Sequence, residues 1–265
     1  MSQCSPGLHA RQLMVSRQRV LATPAFLDSE ALAPDQVAAG LAEANLTWRA
    51  RQFPPQVTLW AFLWQVLRAD GSCRDAVTRV RALRVAQGQV PPSHNTGSYG
   101  KARLRLPEAV VARLAQAAGQ RLSHQAPTAW RWQGRRVTVV DGTTVSMPDT
   151  PANQTAYPQQ TQQPPGVGFP IARLLGVFCL ASGSLLHLAS GRYQGKETGE
   201  PALLRQIAPS LAPGEVVWGD RCYSSYFMLA ELQARGVDDV GRQHQRRPTD
   251  FRRGTRLGRE DPIVC

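Results

Sequence analysis

The chain has 265 residues, 42% of them apolar, which is enough to bury the core of one large domain or two modest ones. Its formal charge of +12 points to a polyanionic partner, because such a surface attracts phosphates. Scattered cysteines (Cys4, Cys73, Cys179, Cys222, Cys265) exclude a zinc module or disulfide framework and fit a reducing cytoplasm, while the longest apolar stretch, Leu174 to Leu188, is too broken to span a bilayer and Met1 to Ala10 lacks a leader's apolar run.

Before Gly134 the apolar spacing is helical. Pro34 to Asn45 reads as a short helix with Pro at its start and Val37, Leu41 and Ala44 on one face. Thr58 to Leu67 is apolar nearly all round, so a buried helix is expected. From Ser72 to Gln87, Ser72 followed by Asp75 resembles a capping box, with Asp in place of the usual Glu or Gln. Ala76, Val77, Val80 and Leu83 make its inner stripe, Gly88 stops it, and Arg74, Arg81 and Arg84 decorate other faces. A DNA backbone could use such arginines; a solvated charged face is the plainer outcome. The segment from Gly97 to Leu106 (GSYGKARLRL) reads as a basic loop whose Tyr99, Lys101, Arg103 and Arg105 could hold phosphates. Pro107 opens another helix, through Val110, Val111, Leu114, Ala118 and Leu122. Lys101 and Lys196 are the only lysines; arginine suits phosphate through its rigid donor fork, though GC-rich coding also inflates it.

After Gly134 the order becomes β-β-β-α-β-α-β. Strands are expected at Arg136 to Asp141, at a hairpin of Ile171 to Ala181 with Leu185 to Ser190, at Glu215 to Asp220 and at Val237 to Arg242. Helices are expected at Gly199 to Leu211 and Ser224 to Arg235. Three meandering strands followed by strand–helix alternation imply a mixed sheet flanked by helices, which is the order of the RNase H-like fold. The Pro-, Gln- and Thr-rich stretch from Pro148 to Pro165 is long for a loop in a compact domain, as functional loops often are.

Two acids end apolar strands: Asp141 in VVDG and Asp220 in VWGD. In open sheets flanked by helices, sites gather at strand ends. Two carboxylates brought together repel unless a cation or shared proton intervenes, and hard Mg²⁺ prefers carboxylate and water. Other readings stand beside this one. Asp141-Gly142 is also a strong hairpin-turn dipeptide. Asp220 could cap the following helix, although Ser224 and Ser225 are better placed to do so.

The segment from Val139 to Thr150 (VVDGTTVSMPDT) resembles the first-aspartate motif of the insertion-sequence DDE transposases of the family numbered four. Trp218 to Tyr226 (WGDRCYSSY) resembles that family's second-aspartate motif, and Gly168 to Arg173 and Gly191 to Glu200 (GRYQGKETGE) are also similar to family segments. Leu59 to Leu63, Asp70 to Cys73 and Lys101 to Pro107 extend the likeness into the helical half.

The resemblance implies a cut-and-paste recombinase. Its RNase H-like core holds two divalent ions (Mg²⁺ or Mn²⁺) through Asp, Asp and Glu, cuts DNA at the element's terminal inverted repeats and joins the freed 3′-hydroxyl to target DNA. Carried over, Asp141 and Asp220 are the shared metal ligands, with Arg74, Arg81, Lys101, Arg103, Arg105, Lys196 and Arg221 as candidate DNA contacts. A dimer assembled on two DNA ends is the implied assembly, with itself or with a full-length transposase, without a membrane and on the bacterial nucleoid. The implied organisation is a helical region over 1–134, a partial catalytic core over 135–245 and the start of a β-rich insertion over 246–265. Here the sequence departs from the family. The helix bearing the glutamate carries a tyrosine–arginine–glutamate–lysine signature, and the residues from Gln245 to Cys265 show none. Glu260 stands just before the helix-breaking Pro262 and is not assigned that role. The expectation is therefore a truncated core with the third ligand, and the two-ion site, incomplete. A non-catalytic DNA-binding remnant, or an inhibitor of a full-length partner, is the alternative.

Overall fold

The computed structural model of the protein describes residues 34–44, 48, 52–164, 166–242, 255–256 and 262–263. Two compact units divide it, residues 1–118 and 119–265. The first is helical: α1 (Pro34–Glu43), α2 (Pro55–Leu67), α3 (Cys73–Ala86), α4 (Gly97–Arg105) and the start of α5 (Glu108–Gln125). Phe53, Trp60, Trp64, Val77, Val80, Tyr99 and Ala102 form one buried cluster. Val37, Leu41, Leu59, Val110 and Leu114 form another. Trp60 and Trp64 of the helix expected to be buried are both in the core, their rings 5.9 Å apart, although Val66 at the end of α2 is 55% exposed.

Ser72 caps α3 by accepting the Asp75 N–H at 3.1 Å, but Asp75 does not reach back. Its carboxylate instead accepts the Trp64 indole N–H at 3.2 Å and pairs with Arg68 at 3.6 Å. Asp is one methylene shorter than the Glu of a full capping box, and a closer partner holds it. The segment expected as a basic loop is a helix. Tyr99 and Ala102, three residues apart, turn inward from α4, and the Tyr99 hydroxyl donates to Gln65 Oε1 at 2.8 Å.

The second unit carries a five-stranded sheet. Its elements are β1 (Val137–Ser146), α6 (Pro151–Ala156), β2 (Ile171–Cys179), β3 (Leu185–Arg192), α7 (Glu200–Ile207), β4 (Val216–Gly219), α8 (Tyr226–Ala234) and β5 (Asp238–Gly241). The spatial order is β3-β2-β1-β4-β5, with the first three antiparallel and β4 and β5 parallel to β1. That is the mixed, RNase H-like arrangement expected from the sequence. Because strand side chains alternate faces, Val140, Leu175, Val177 and Val217 point to one side, where Leu203, Leu204, Ile207, Met228 and Leu232 of α7 and α8 cover them. Trp218 and Val240, on the alternate positions, are 49% and 53% exposed.

Backbone demands explain two glycines here. Gly183 turns the β2–β3 hairpin with φ +68°. A Cβ on Gly119 would sit 1.8 Å from the Leu185 carbonyl oxygen, so only glycine permits that approach. Before β1, the Arg136 guanidinium pairs with the Glu215 carboxylate, whose side chain is 4% exposed, while Arg135 donates to the carbonyls of Gly214 and Glu215. The stretch from Pro148 to Pro165 contains α6, capped by Thr150, whose hydroxyl accepts the Asn153 N–H. Of the residues expected to start a β-rich insertion, only Thr255–Arg256 and Pro262–Ile263 are described, as two short paired strands. Glu260 lies outside the described residues. Among the described residues no helix is long and apolar enough to cross a membrane.

Candidate active site

β1 does not turn at Asp141. It runs on to Ser146, with Asp141 opposite Gly176 of β2, so the hairpin-turn reading of Asp141-Gly142 does not hold. On its other side β1 runs parallel to β4, ending in the pair Val140 with Gly219. The residue after each member of that last pair is an aspartate: Asp141 within β1, where the parallel ladder stops, and Asp220 just past the end of β4. Both are exposed. Each makes the same local bond: Asp141 Oδ1 accepts the Gly142 N–H at 2.9 Å, and Asp220 Oδ1 accepts the Arg221 N–H at 2.7 Å. Asp220 is not the cap of α8; Ser225 is, accepting the Met228 N–H at 3.3 Å.

A third carboxylate lies close by. Glu200, in the first turn of α7, is half-buried, and its Oε2 accepts the Tyr223 hydroxyl at 2.8 Å. Burial comes first in holding the Tyr223 phenol far above its usual range, followed by the hydrogen bond to Glu200, that carboxylate's charge, Cys222 and the charge of Asp141. The neighbouring Cys222 thiol is pushed up to about 11 by burial, then by the charges of Glu200 and Asp220. Tyr223 and Cys222 thus stay protonated, and each feels a different aspartate. The local field is negative, which suits a cation. Sequence reasoning passed over Glu200 and Tyr223, although both fall within the family-like segments, because nothing local shows that residues so far apart in the chain meet.

The basic candidates fall in both units. In the first, Arg74 is exposed; the Arg81 guanidinium donates to the Pro92 carbonyl. Arg103 donates to Gln65 Oε1 at 3.0 Å and lies over the rings of Phe62 and Tyr99. Lys101 and Arg105, both exposed, line an open groove of about 1070 Å³ with Arg84, Ser98 and the exposed Val90 and Leu104. Arg105 also stacks on Trp48, 5.2 Å from its centroid. In the second unit Lys196 is exposed, and Arg221 is exposed directly after Asp220.

The donor chemistry at Asp141 and Asp220 fits a divalent ion: hard carboxylate oxygens, open to solvent, where the parallel pairing of β1 with β4 stops. Among the described residues, no three His, Cys, Asp or Glu side chains are grouped to hold one ion.

Residues 132–261 match the family model described as "Transposase DDE domain". Over 253 residues the chain is 25% identical to the transposase InsG for insertion sequence element IS4 of Escherichia coli strain K12, a match that takes in 95% of this chain and 55% of that relative. The chain thus spans little more than half the length of the curated relative it matches. Among solved structures, a piggyBac transposase synaptic complex with hairpin DNA aligns with a TM-score of 0.38 and 13% identity, over 98% of this chain and 57% of that one. Asp141 and Asp220, in the segments that carry the motif likeness, fall within the matched residues, and the family match and the relative together support an insertion-sequence-four-type DDE transposase.

Proposed function

We propose that Asp141 and Asp220 are the two aspartate ligands of a metal-dependent DNA strand-cleavage and transfer site, and that this 265-residue chain binds element-end DNA without cutting it. The observation that supports the reading is the pairing of Val140 with Gly219, the residues that precede the two aspartates. When bound, a pair of Mg²⁺ or Mn²⁺ ions supplies an activated attacking oxygen and a stabilised leaving oxygen. The protein's part is to hold two carboxylates at fixed separation and to keep the neighbouring thiol and phenol neutral. Arg221, whose N–H donates to Asp220, would meet the phosphate nearest the site, and Lys101 and Arg105 are separate candidate phosphate contacts in the first unit. Terminal inverted repeats and target DNA are then the partners, a second or full-length transposase copy completes the assembly, and the nucleoid in the cytoplasm is the place of action.

The test uses labelled inverted-repeat DNA with Mg²⁺ or Mn²⁺. The chain should bind it, the affinity falling steeply with salt as phosphate contacts require, and should leave it uncut. Mn²⁺ binding should disappear in Asp141→Asn and in Asp220→Asn. Strong cutting that is lost in Asp141→Ala would show that the third acid is present after all. Salt-independent association would remove the DNA-binding reading.

A further inference from the structure

Each of the two aspartates is next to a glycine that has no room for a side chain. A Cβ on Gly142 would lie 2.3 Å from the Glu200 Cδ, and one on Gly219 would lie 2.7 Å from the Tyr223 ring. Neither glycine has a positive φ, so backbone conformation does not explain them. The occupants of the two spaces are hydrogen-bonded to each other, Tyr223 hydroxyl to Glu200 Oε2, at 2.8 Å. Strand alternation puts Gly142, like Val140, on the face covered by α7, and Asp141 on the other. Glu200 therefore lies beneath β1, and Tyr223 lies beneath the end of β4.

The turn after β4 closes the frame, with the Tyr223 N–H donating to the Asp220 carbonyl at 3.0 Å. Tyr223 is 5% exposed, so its hydroxyl has little access to water as a substitute partner. A buried donor and a carboxylate with good geometry make a strong bond, and breaking it strands both groups.

Resting on the two-aspartate reading above, we propose that Glu200 and Tyr223 form a positioning pair that sets the separation of Asp141 and Asp220. Glu200 is a carboxylate beside a metal site that acts on the backbone rather than on the ion. Gly142 and Gly219 are the positions where the pair presses on the two strands. Partners behind metal ligands commonly change affinity by about 10–100-fold when removed, and the same is expected here.

The experiment measures Mn²⁺ binding by calorimetry and by the loss of the free-ion electron paramagnetic resonance signal, on the full chain, with thermal melts alongside. Tyr223→Phe keeps the ring against Gly219 and removes only the hydroxyl; Mn²⁺ affinity should fall about tenfold or more. Glu200→Ala should do the same. Glu200→Gln, which retains an acceptor oxygen without the charge, should stay close to the parent. A melt that drops with affinity unchanged in Tyr223→Phe would reduce the pair to a structural contact and overturn the inference. Equal damage from Glu200→Gln and Glu200→Ala would also overturn it, since the charge would then be what counts. If the parent chain's Mn²⁺ affinity survives Asp141→Asn, the two-aspartate reading itself fails. Should Glu200→Ala not fold, Tyr223→Phe decides alone.

Discussion

Arginine is put to different use in the two units. In the helical unit it lies on aromatic rings: Arg68 and Arg79 over Trp64, Arg103 over Phe62 and Tyr99, Arg105 over Trp48. Each stem covers apolar surface while the head stays near water, and a cation over a ring face gains about 0.5–1 kcal/mol when exposed. In the sheet unit Arg173 also lies over a ring, that of Tyr193, but two consecutive arginines are tied to other protein groups. Arg136 meets Glu215 and donates to Gln120 Oε1, and Arg135 ties the residues before β1 to those before β4. A single figure of +12 hides this division. Charge that sits on a ring remains available to a phosphate where no other side chain has taken the guanidinium, as Gln65 takes that of Arg103; charge locked to a buried carboxylate has been used for folding.

The largest effect that sharpens this contrast should come from Arg136→Ala. It leaves the Glu215 carboxylate, 4% exposed, without its counter-charge. Breaking a buried ion pair from one side costs about 3–5 kcal/mol, enough to unfold a unit of ordinary stability. Chemical denaturation followed at Trp218, in the sheet unit, should show the loss. If Arg136→Ala melts like the parent, Glu215 has found water or a proton, and the two units do not differ as described.

A middle-sized effect separates the arginines and lysine of the first unit from one another. Lys101→Gln and Arg105→Gln should each lower the slope of log affinity against log salt by about 0.9 for every phosphate no longer neutralised. Arg103→Gln is the contrast. Its guanidinium is bonded to Gln65 and stacked on two rings, so the melt should fall while the salt slope changes little. Equal salt slopes for all three variants and the parent would place the DNA elsewhere.

Much of the sheet unit was legible because its signals are local. VVDG and VVWGD are short β-branched runs, and parallel register adds nothing more than their adjacency. Local pattern could not decide how the chain continues beyond each run. Asp-Gly has a turn's chemistry, yet β2 supplies β1 with hydrogen-bond partners well past Gly142, and the ladder overrides the dipeptide. Residues 97 to 106 failed in the opposite direction. Two glycines and three basic residues read as a loop, but Tyr99 and Ala102 have a place in a buried cluster, and that packing outweighs poor propensity. Glu200 and Tyr223 were invisible for a third reason. A glycine required by a distant side chain looks, in sequence, like any glycine beside an aspartate.

The smallest expected effect concerns pH and sits at the edge of the locked arginine. His187 on β3 approaches Gln120 Nε2 at 3.4 Å and feels both members of the Arg136–Glu215 pair. Burial comes first in lowering its pKa below the usual 6.5; Glu215 opposes this and Arg136 adds to it. A folded-state value below the unfolded one means that the unfolded chain binds the proton more readily. The contribution to stability is therefore complete above about pH 6.5 and is lost as pH falls from there through the folded value. Thermal melts of the parent between about pH 7.5 and pH 5 should decline more than those of His187→Gln, which has nothing to protonate there. Parallel curves would mean that the ring is charged or wet in the folded state, and that the locked charges do not reach β3. Removing Glu215 with Glu215→Gln tests the same electrostatics from the other side: without the opposing carboxylate, the His187 pKa should drop further and the acid loss should extend to lower pH.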